Sequence, residues 1–208
     1  MKYVKILGLA AVAATALMAF AAAASATTLT SPTGTVYTGE IHAEAEVTPT
    51  LDGSFTTVTC KKSTVAGTIE EHGTGVTAGG LINTLTFGEC NFPVTVLKAG
   101  KLEVHPIVVN GKGEHLNCLS GAVECTGTLT SSNAEVTVAT SVGTCTFTTS
   151  STRIGVLTPS NDLGGKEATL DIGSSPIPRT GGNFLCGSSA TWTGAYKVTK
   201  PTTLYIDG

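Results

Sequence analysis

Charged and aromatic residues are scarce in this sequence. Only 13% of the 208 residues are charged and only 5% are aromatic, with a single tryptophan. Basic residues do not cluster, and the longest basic run is Lys61-Lys62. Because affinity for nucleic acid or anionic lipid depends on concentrated positive charge, the sequence disfavours both as partners.

Long apolar runs are missing after the first 26 residues. At the N-terminus, Lys2 and Lys5 flank the start of an apolar stretch over residues 6–20, and Ala24-Ser25-Ala26 supplies the small residues of a cleavage site. This order is typical of a secretory signal peptide. We therefore expect residues 1–26 to be removed, no membrane span in the remainder, and a secreted, extracellular protein, with association to the cell surface as an alternative.

Cleavage at that point leaves residues 27–208 as the folded region. These 182 residues carry 10 basic and 15 acidic side chains, a net charge of −5. Their number suits one domain or two small ones. A division, if there is one, is expected near residues 111–120.

The region after residue 26 has alternating apolar and polar residues instead of a helical period. Ile41, Ala43 and Ala45 alternate with His42 and Glu44. About one residue in five is threonine, which suits the solvated face of a strand. Since a parallel sheet would require crossover helices, the pattern predicts antiparallel strands. The expected fold class is an all-β, disulfide-stabilised antiparallel β-sandwich, either Ig-like or two packed small sandwiches.

Two local features refine this expectation. Lys98-Ala99-Gly100-Lys101 separates two apolar runs and predicts a hairpin between them. Residues 174–183 are predicted to form a loop, because Pro176 and Pro178 lack the backbone donor that a central strand needs.

Six cysteines lie in the predicted mature chain, which is typical of an exported protein with disulfides. If Gly121-Ala122 form a two-residue turn, Cys118 and Cys125 face each other across a hairpin. The remaining pairs then follow by order along the chain. The predicted disulfides are Cys60–Cys90, Cys118–Cys125 and Cys145–Cys186.

Metal binding is the competing interpretation of some of these residues. Possible zinc ligands are His105, His115, Cys118 and Cys125, but their spacing matches no common zinc motif. Possible calcium ligands are Asn161, Asp162 and Glu167, without an alternating series of aspartates. We expect neither a metal nor another cofactor.

Catalytic motifs are equally hard to find. No Gly-x-Ser-x-Gly sequence is present, so the nucleophile turn typical of α/β-hydrolases is not indicated. Glu44 and Glu46 share one face of a predicted strand, but a solvated acidic edge is the favoured explanation of this pair. A hydrolase would require several of His42, Glu44, His72 and His105 to converge in one cleft.

Aromatic residues supply the remaining candidates for a binding site. Trp192 and Tyr196 fall on one face of a late predicted strand, and Tyr37 lies near the mature N-terminus. Exposed, they would serve as stacking platforms for a glycan. A lone tryptophan near cysteines more often packs in the core.

The later part of the chain contains Gly143-Thr144-Cys145-Thr146-Phe147 and a closing run from Leu185 to Tyr196 that includes Cys186 and Ala190-Thr191-Trp192-Thr193-Gly194. These segments, with Phe87-Gly88-Glu89-Cys90, resemble uncharacterised exported β-rich proteins of high-GC Gram-positive bacteria. The resemblance implies a disulfide-braced β fold. It implies no activity and no catalytic residue.

The sequence thus favours a secreted, non-enzymatic protein that acts as an extracellular structural or binding module. Its partner would be an unidentified extracellular molecule or a component of the cell wall. The alternative is a secreted hydrolase acting on polysaccharide or peptide.

Overall fold

The computed structural model describes residues 28–54, 56–72, 78–106, 126–160 and 167–207. They form β-strands and one short 3-10 helix, Phe184–Cys186. The strands in chain order are β1 Thr28–Thr30, β2 Glu40–Ala45, β3 Thr50–Gly53, β4 Thr57–His72, β5 Ala78–Cys90, β6 Val94–Lys98, β7 Lys101–Pro106, β8 Gly127–Ser132, β9 Glu135–Thr140, β10 Gly143–Thr148, β11 Thr152–Thr158, β12 Thr169–Gly181, β13 Ser189–Lys200 and β14 Tyr205–Asp207. The predicted signal peptide, the Cys118–Cys125 pair and the segment 111–120 lie outside the described residues.

Eight strands close into an antiparallel barrel. The order around it is β4-β5-β7-β8-β11-β12-β13-β2, and β2 pairs with β4 to complete the ring. The chain is all-β as expected, but the predicted sandwich, whether Ig-like or two packed units, is wrong. Alternation shows that each strand has one buried face, yet it does not show which strands are neighbours. Here the ladder returns to its first strand, so the buried faces enclose one interior.

The barrel interior consists of aliphatic side chains and one tyrosine, which surround an apolar cavity of about 50 Å³. Tyr196, Leu129, Ile154 and Leu157 are among its most completely buried members. The separate two-stranded sheet of β1 and β14 contributes Leu29 and Ile206 to the same cluster, together with Leu204 next to β14. Burial of this apolar surface is the main stabilising contribution to such a fold.

Four strands, β4, β5, β12 and β13, are longer than the barrel, and the sheet continues beyond the barrel at their ends. We call this part of the structure the extension. β13 pairs with β2 through Tyr196–Lys200 and with β3 through residues 190–193, while β4 divides its pairing in the same way. On the other side, the end of β12 pairs with β10, and β9 and β6 follow. The extension therefore consists of β3, β6, β9, β10 and the adjoining ends of β4, β5, β12 and β13. It contains two smaller apolar clusters, around Phe147 and around Val58.

Residues 174–181 of the predicted loop instead form the second half of β12, and residues 182 and 183 lie beyond it. Pro176 pairs with Thr191, and Pro178 pairs with Ser189 of β13. On its other side, β12 pairs with β11 only up to Ile172 and with β10 only from Arg179 onward. The prolines thus occupy a local edge, where a missing backbone donor breaks no ladder.

The predicted hairpin at residues 98–101 is also wrong. β6 and β7 are adjacent in sequence but do not pair with each other: β6 pairs with β9, and β7 pairs with β5 and β8. Gly100 has a positive φ of 82°, which allows the chain to turn from β6 in the extension to β7 in the barrel.

The described residues contain two disulfides, and these match two of the three expected pairs. Cys60–Cys90 joins directly opposed residues of β4 and β5, and Cys145–Cys186 joins β10 to the 3-10 helix. Both lie in the extension. The described residues contain no helix that is both long and apolar enough to cross a membrane.

Candidate functional site

The end of the extension farthest from the barrel combines a disulfide, two turns and an exposed aromatic ring. It is formed by the described residues between β3 and β4, which are Ser54 and Thr56, by residues 139–145 around the β9–β10 turn, and by residues 183–188, which include the 3-10 helix. We call this region the braced end, because Cys145–Cys186 crosslinks two of its segments.

Phe184 is the most exposed large apolar side chain among the described residues, with 81% of its surface accessible. It begins the 3-10 helix, where the chain turns out of the wall between β12 and β13. Apolar rings are normally buried, so a fully projecting phenylalanine is a candidate contact residue.

The backbone that carries Phe184 is held by several hydrogen bonds. The Asn183 side chain caps the helix by accepting from the Leu185 N–H (3.0 Å), and its amide donates to the Val142 carbonyl (2.7 Å). The Arg179 guanidinium donates to the carbonyls of Gly182 (2.8 Å) and Asn183 (2.7 Å). The ring is therefore presented on a fixed loop.

Glycines on both sides of this loop are required by its conformation. Gly182 and Gly187 have positive φ values of 94° and 73°. A Cβ at Gly187 would collide with Ser54, and a Cβ at Gly182 would collide with the Thr144 carbonyl. The loop therefore packs closely against the turns on either side of it.

A shallow apolar pocket of about 20 Å³ lies within the braced end. Its lining comes from the turns and strand ends and includes Val58, Val138, Val142, Leu185, Ala190 and the Cys145–Cys186 disulfide. Neither residues 139–145 nor residues 183–188 include a charged side chain. These two segments offer apolar contact and neutral hydrogen-bonding groups, and the charged side chains of Arg179, which bonds two loop carbonyls, and of Asp52, exposed on β3, adjoin them.

Charged groups lie instead along the outer faces of the strands. Lys200 contacts Glu40 (2.6 Å), and Lys62 contacts Glu89. Each ammonium group, by hydrogen bonding first and then by charge, lowers the pKa of its partner carboxylate. These pairs are solvent-exposed, so they contribute little to stability.

The aromatic residues proposed as glycan platforms are engaged inside the protein. Tyr196 is completely buried, and its hydroxyl donates to the Ser63 side chain (2.9 Å). Trp192 packs edge-on against Phe87 and Tyr196, with ring centroids 5.7 and 6.1 Å apart. The Tyr37 hydroxyl donates to the Glu40 carbonyl (2.6 Å). None of the three presents a free ring face comparable to that of Phe184.

Burial has a large effect on the acidity of Tyr196. Loss of hydration raises the pKa of its hydroxyl from 10.0 to about 12, and the neighbouring Ser63 opposes part of this shift. The group is therefore a neutral structural donor at physiological pH.

The candidate catalytic residues are spread around the barrel wall. His42 and Glu44 lie on β2, and His105 lies on β7, with β4 and β5 between them in the ring. The His105 ring is 3.0 Å from the Thr130 hydroxyl and 3.9 Å from Glu103, while His42 is 3.7 Å from Glu40. In the described part of the structure, these three candidates share no cleft. The side chain of His72 is not among the described side chains.

The candidate metal ligands are only partly described. Glu167 forms an ion pair with Lys197, and His105 has the contacts given above. Asn161, Asp162, His115 and the Cys118–Cys125 segment lie outside the described residues. Within the described ranges, no three His, Cys, Asp or Glu side chains are grouped closely enough to hold a metal ion.

Sequence reasoning did not identify Phe184. Alternation cannot reveal it, because it lies in a turn. The available signal was local: Gly181-Gly182-Asn183 precedes it and Cys186-Gly187 follows it, which indicates a tight, crosslinked turn carrying an apolar ring.

Comparisons with protein-family models, with curated proteins and with solved structures found no match to this chain.

Proposed function

We propose that this protein is an extracellular, non-enzymatic binding module that docks a partner protein through its braced end. The observation that carries the proposal is the 81% exposed Phe184 ring on a loop fixed by hydrogen bonds and a disulfide. Rigid, exposed aromatic residues are common centres of protein interfaces, because little conformational entropy is lost when they are buried.

The chemistry around the ring favours a protein partner. The cores of protein interfaces are enriched in aromatic residues and depleted of charge, and residues 139–145 and 183–188 have no charged side chain. Nucleic acids and anionic lipids would instead require a basic surface.

Export is part of the same proposal. The predicted signal peptide at residues 1–26 and the resemblance to exported bacterial β-rich proteins support it. The two disulfides are compatible with an oxidising compartment, where such bonds persist.

The hydrolase alternative gains no support from the described geometry. His42 and Glu44 share the outer face of β2, whereas His105 lies on β7 with two strands between them, and the cavities described above and below have mainly apolar linings.

The test measures binding to cell-envelope material from the producing cell, with and without protease treatment of that material. We expect saturable binding of the wild-type protein, lost after protease treatment, and at least about 30-fold weaker binding by Phe184→Ala. Val47→Ala is the matched control, because Val47 is 58% exposed but lies between β2 and β3.

Equal binding by the wild type and Phe184→Ala would refute docking through the braced end. Binding that survives protease treatment would show that the partner is a glycan or lipid and would refute the protein partner.

A further inference from the structure

The interior of the extension contains an apolar cavity of about 50 Å³. Eight of its twelve lining residues are large apolar side chains, contributed by seven strands, among them Leu85, Phe87, Val94, Val136, Phe147 and Trp192. A cavity with such walls is expected to be dry, because water inside would find few hydrogen-bond partners.

The two threonines in the lining are already engaged. The Thr50 hydroxyl bonds to that of Thr193 (2.5 Å), and the Thr149 hydroxyl bonds to Ser131 and to the Ala134 N–H, both at 3.0 Å. A ligand in this cavity would therefore be held mainly by apolar contact. The buried indole N–H of Trp192, a lining residue, has no hydrogen-bond partner among the described residues and is a further polar group of the lining.

One wall of the cavity is formed by β5 and β6, which do not pair with each other as strands. β5 pairs with β7 only through Leu81, and beyond that point its paired neighbour is β4. The paired neighbour of β6 is β9. The two strands are joined at one end by residues 91–93 and at the other by a hydrogen bond from the Ile82 N–H to the Gly100 carbonyl (3.0 Å). Between these ends they form what we call the β5–β6 gap.

The other walls are much harder to move. Ladders join β9 to β10 and β12 to β13, and the Cys60–Cys90 disulfide fixes the end of β5 to β4. Widening the cavity at the β5–β6 gap breaks no ladder hydrogen bond, so this gap is the easiest route to the interior.

The middle of the gap's rim carries neutral hydroxyl groups, and the exposed charged side chains near its two ends, Glu89 and Lys98, are each paired with an opposite charge. Thr84 and Thr86 are exposed on β5, and Thr95 is exposed on β6. A molecule lying through the gap would therefore meet hydroxyl groups outside and apolar side chains inside.

We propose that the cavity binds the terminal carbons of a linear alkyl chain whose neutral polar head remains at the threonine rim. The shape of the site selects this class. An apolar protein cavity that binds benzene has a volume of about 150 Å³, which is three times the volume of this cavity. A linear alkyl chain is narrower than a ring, so it fits with less widening of the cavity.

1-Octanol is the probe, and cyclooctanol is the shape control with the same number of carbons. Trp192 lines the cavity and is the only tryptophan of the chain, so its fluorescence reports occupancy directly. We expect 1-octanol to change the Trp192 emission with saturation and to raise the melting temperature. Cyclooctanol should require at least about tenfold higher concentration for the same change.

A matched pair of alanine substitutions locates the site. Ala134 is buried in the cavity lining, and Ala139 is exposed on β9 nearby. Ala134→Leu should fill the cavity and weaken the response to 1-octanol at least about tenfold, while Ala139→Leu should leave it unchanged. If circular dichroism shows that Ala134→Leu is misfolded, Val94→Leu takes its place.

The proposal is overturned if 1-octanol produces no saturable change, if cyclooctanol binds as well, or if the folded filling variant responds like the wild type. Phe184→Ala should respond normally to 1-octanol, because Phe184 does not line the cavity. Failure of this proposal is thus distinguishable from failure of docking through the braced end.

Discussion

Replacing the buried Tyr196 by phenylalanine should make the protein less stable than the wild type at pH 8 and more stable than the wild type above about pH 11. The Tyr196 hydroxyl donates to Ser63 (2.9 Å), which in turn donates to the Thr86 carbonyl (2.7 Å). At pH 8, Tyr196→Phe removes one buried hydrogen bond and should lower the free energy of unfolding by about 1 kcal/mol.

Alkaline pH acts in the opposite direction. The pKa of Tyr196 is about 12 in the folded protein, against 10.0 for the unperturbed group. Between these values the unfolded chain loses its proton while the native protein keeps it, so the unfolded state is favoured as the pH rises. The wild type should lose about 2 kcal/mol of stability from this group by pH 12, whereas Tyr196→Phe loses none of it.

The two stability curves should therefore cross between about pH 10 and pH 11. Urea unfolding of both proteins at pH 8, 10 and 11.5, followed by circular dichroism, measures this directly. The difference between the two proteins cancels the contribution of the other tyrosines. Parallel curves over this range would show that the Tyr196 hydroxyl is not held neutral by burial, and would refute the reasoning.

Two further perturbations test the barrel and the braced end separately. Leu129→Ala, at a side chain only 1% exposed in the barrel core, should lower the free energy of unfolding by about 2–5 kcal/mol in urea titrations; a cost below about 1 kcal/mol would contradict the assigned core. Replacing Cys145 and Cys186 together by alanine opens a crosslink between residues 41 positions apart and should cost about 2–4 kcal/mol. The same double variant should bind envelope material less tightly than the wild type, and unchanged binding would show that the crosslink does not position Phe184.

The strands themselves could be predicted from the sequence, because burial of one face leaves a period-2 pattern that needs no knowledge of neighbours. Ile41, Ala43 and Ala45 face the barrel interior, as their alternation with His42 and Glu44 indicates. The closure of the ladder could not be predicted in this way. A strand in a barrel and a strand in a sandwich have the same alternation, and only the pairing of β2 with both β13 and β4 distinguishes them.

Two local predictions failed because they depended on which strands become neighbours. Lys98-Ala99-Gly100-Lys101 has the composition of a hairpin turn, yet β6 and β7 find their partners elsewhere. Pro176 and Pro178 exclude a central strand, but they do not exclude a stretch with a neighbour on one side only. Composition shows which backbone conformations and strand pairings a segment allows. Only the pairing of the strands in the folded protein shows which of them the segment adopts.

The positions of the disulfides follow from how the apolar core is divided. The barrel has a continuous cluster of buried side chains, centred on residues such as Leu129 and Ile154, whereas the extension has two small clusters that include the disulfide cysteines themselves. A small core provides less stabilisation, and crosslinks commonly compensate for it. Both described disulfides are in the extension. The disulfides therefore stabilise the part of the fold that has the smaller buried core, the exposed Phe184 ring and the β5–β6 gap. The proposed binding role requires that the extension keep its shape.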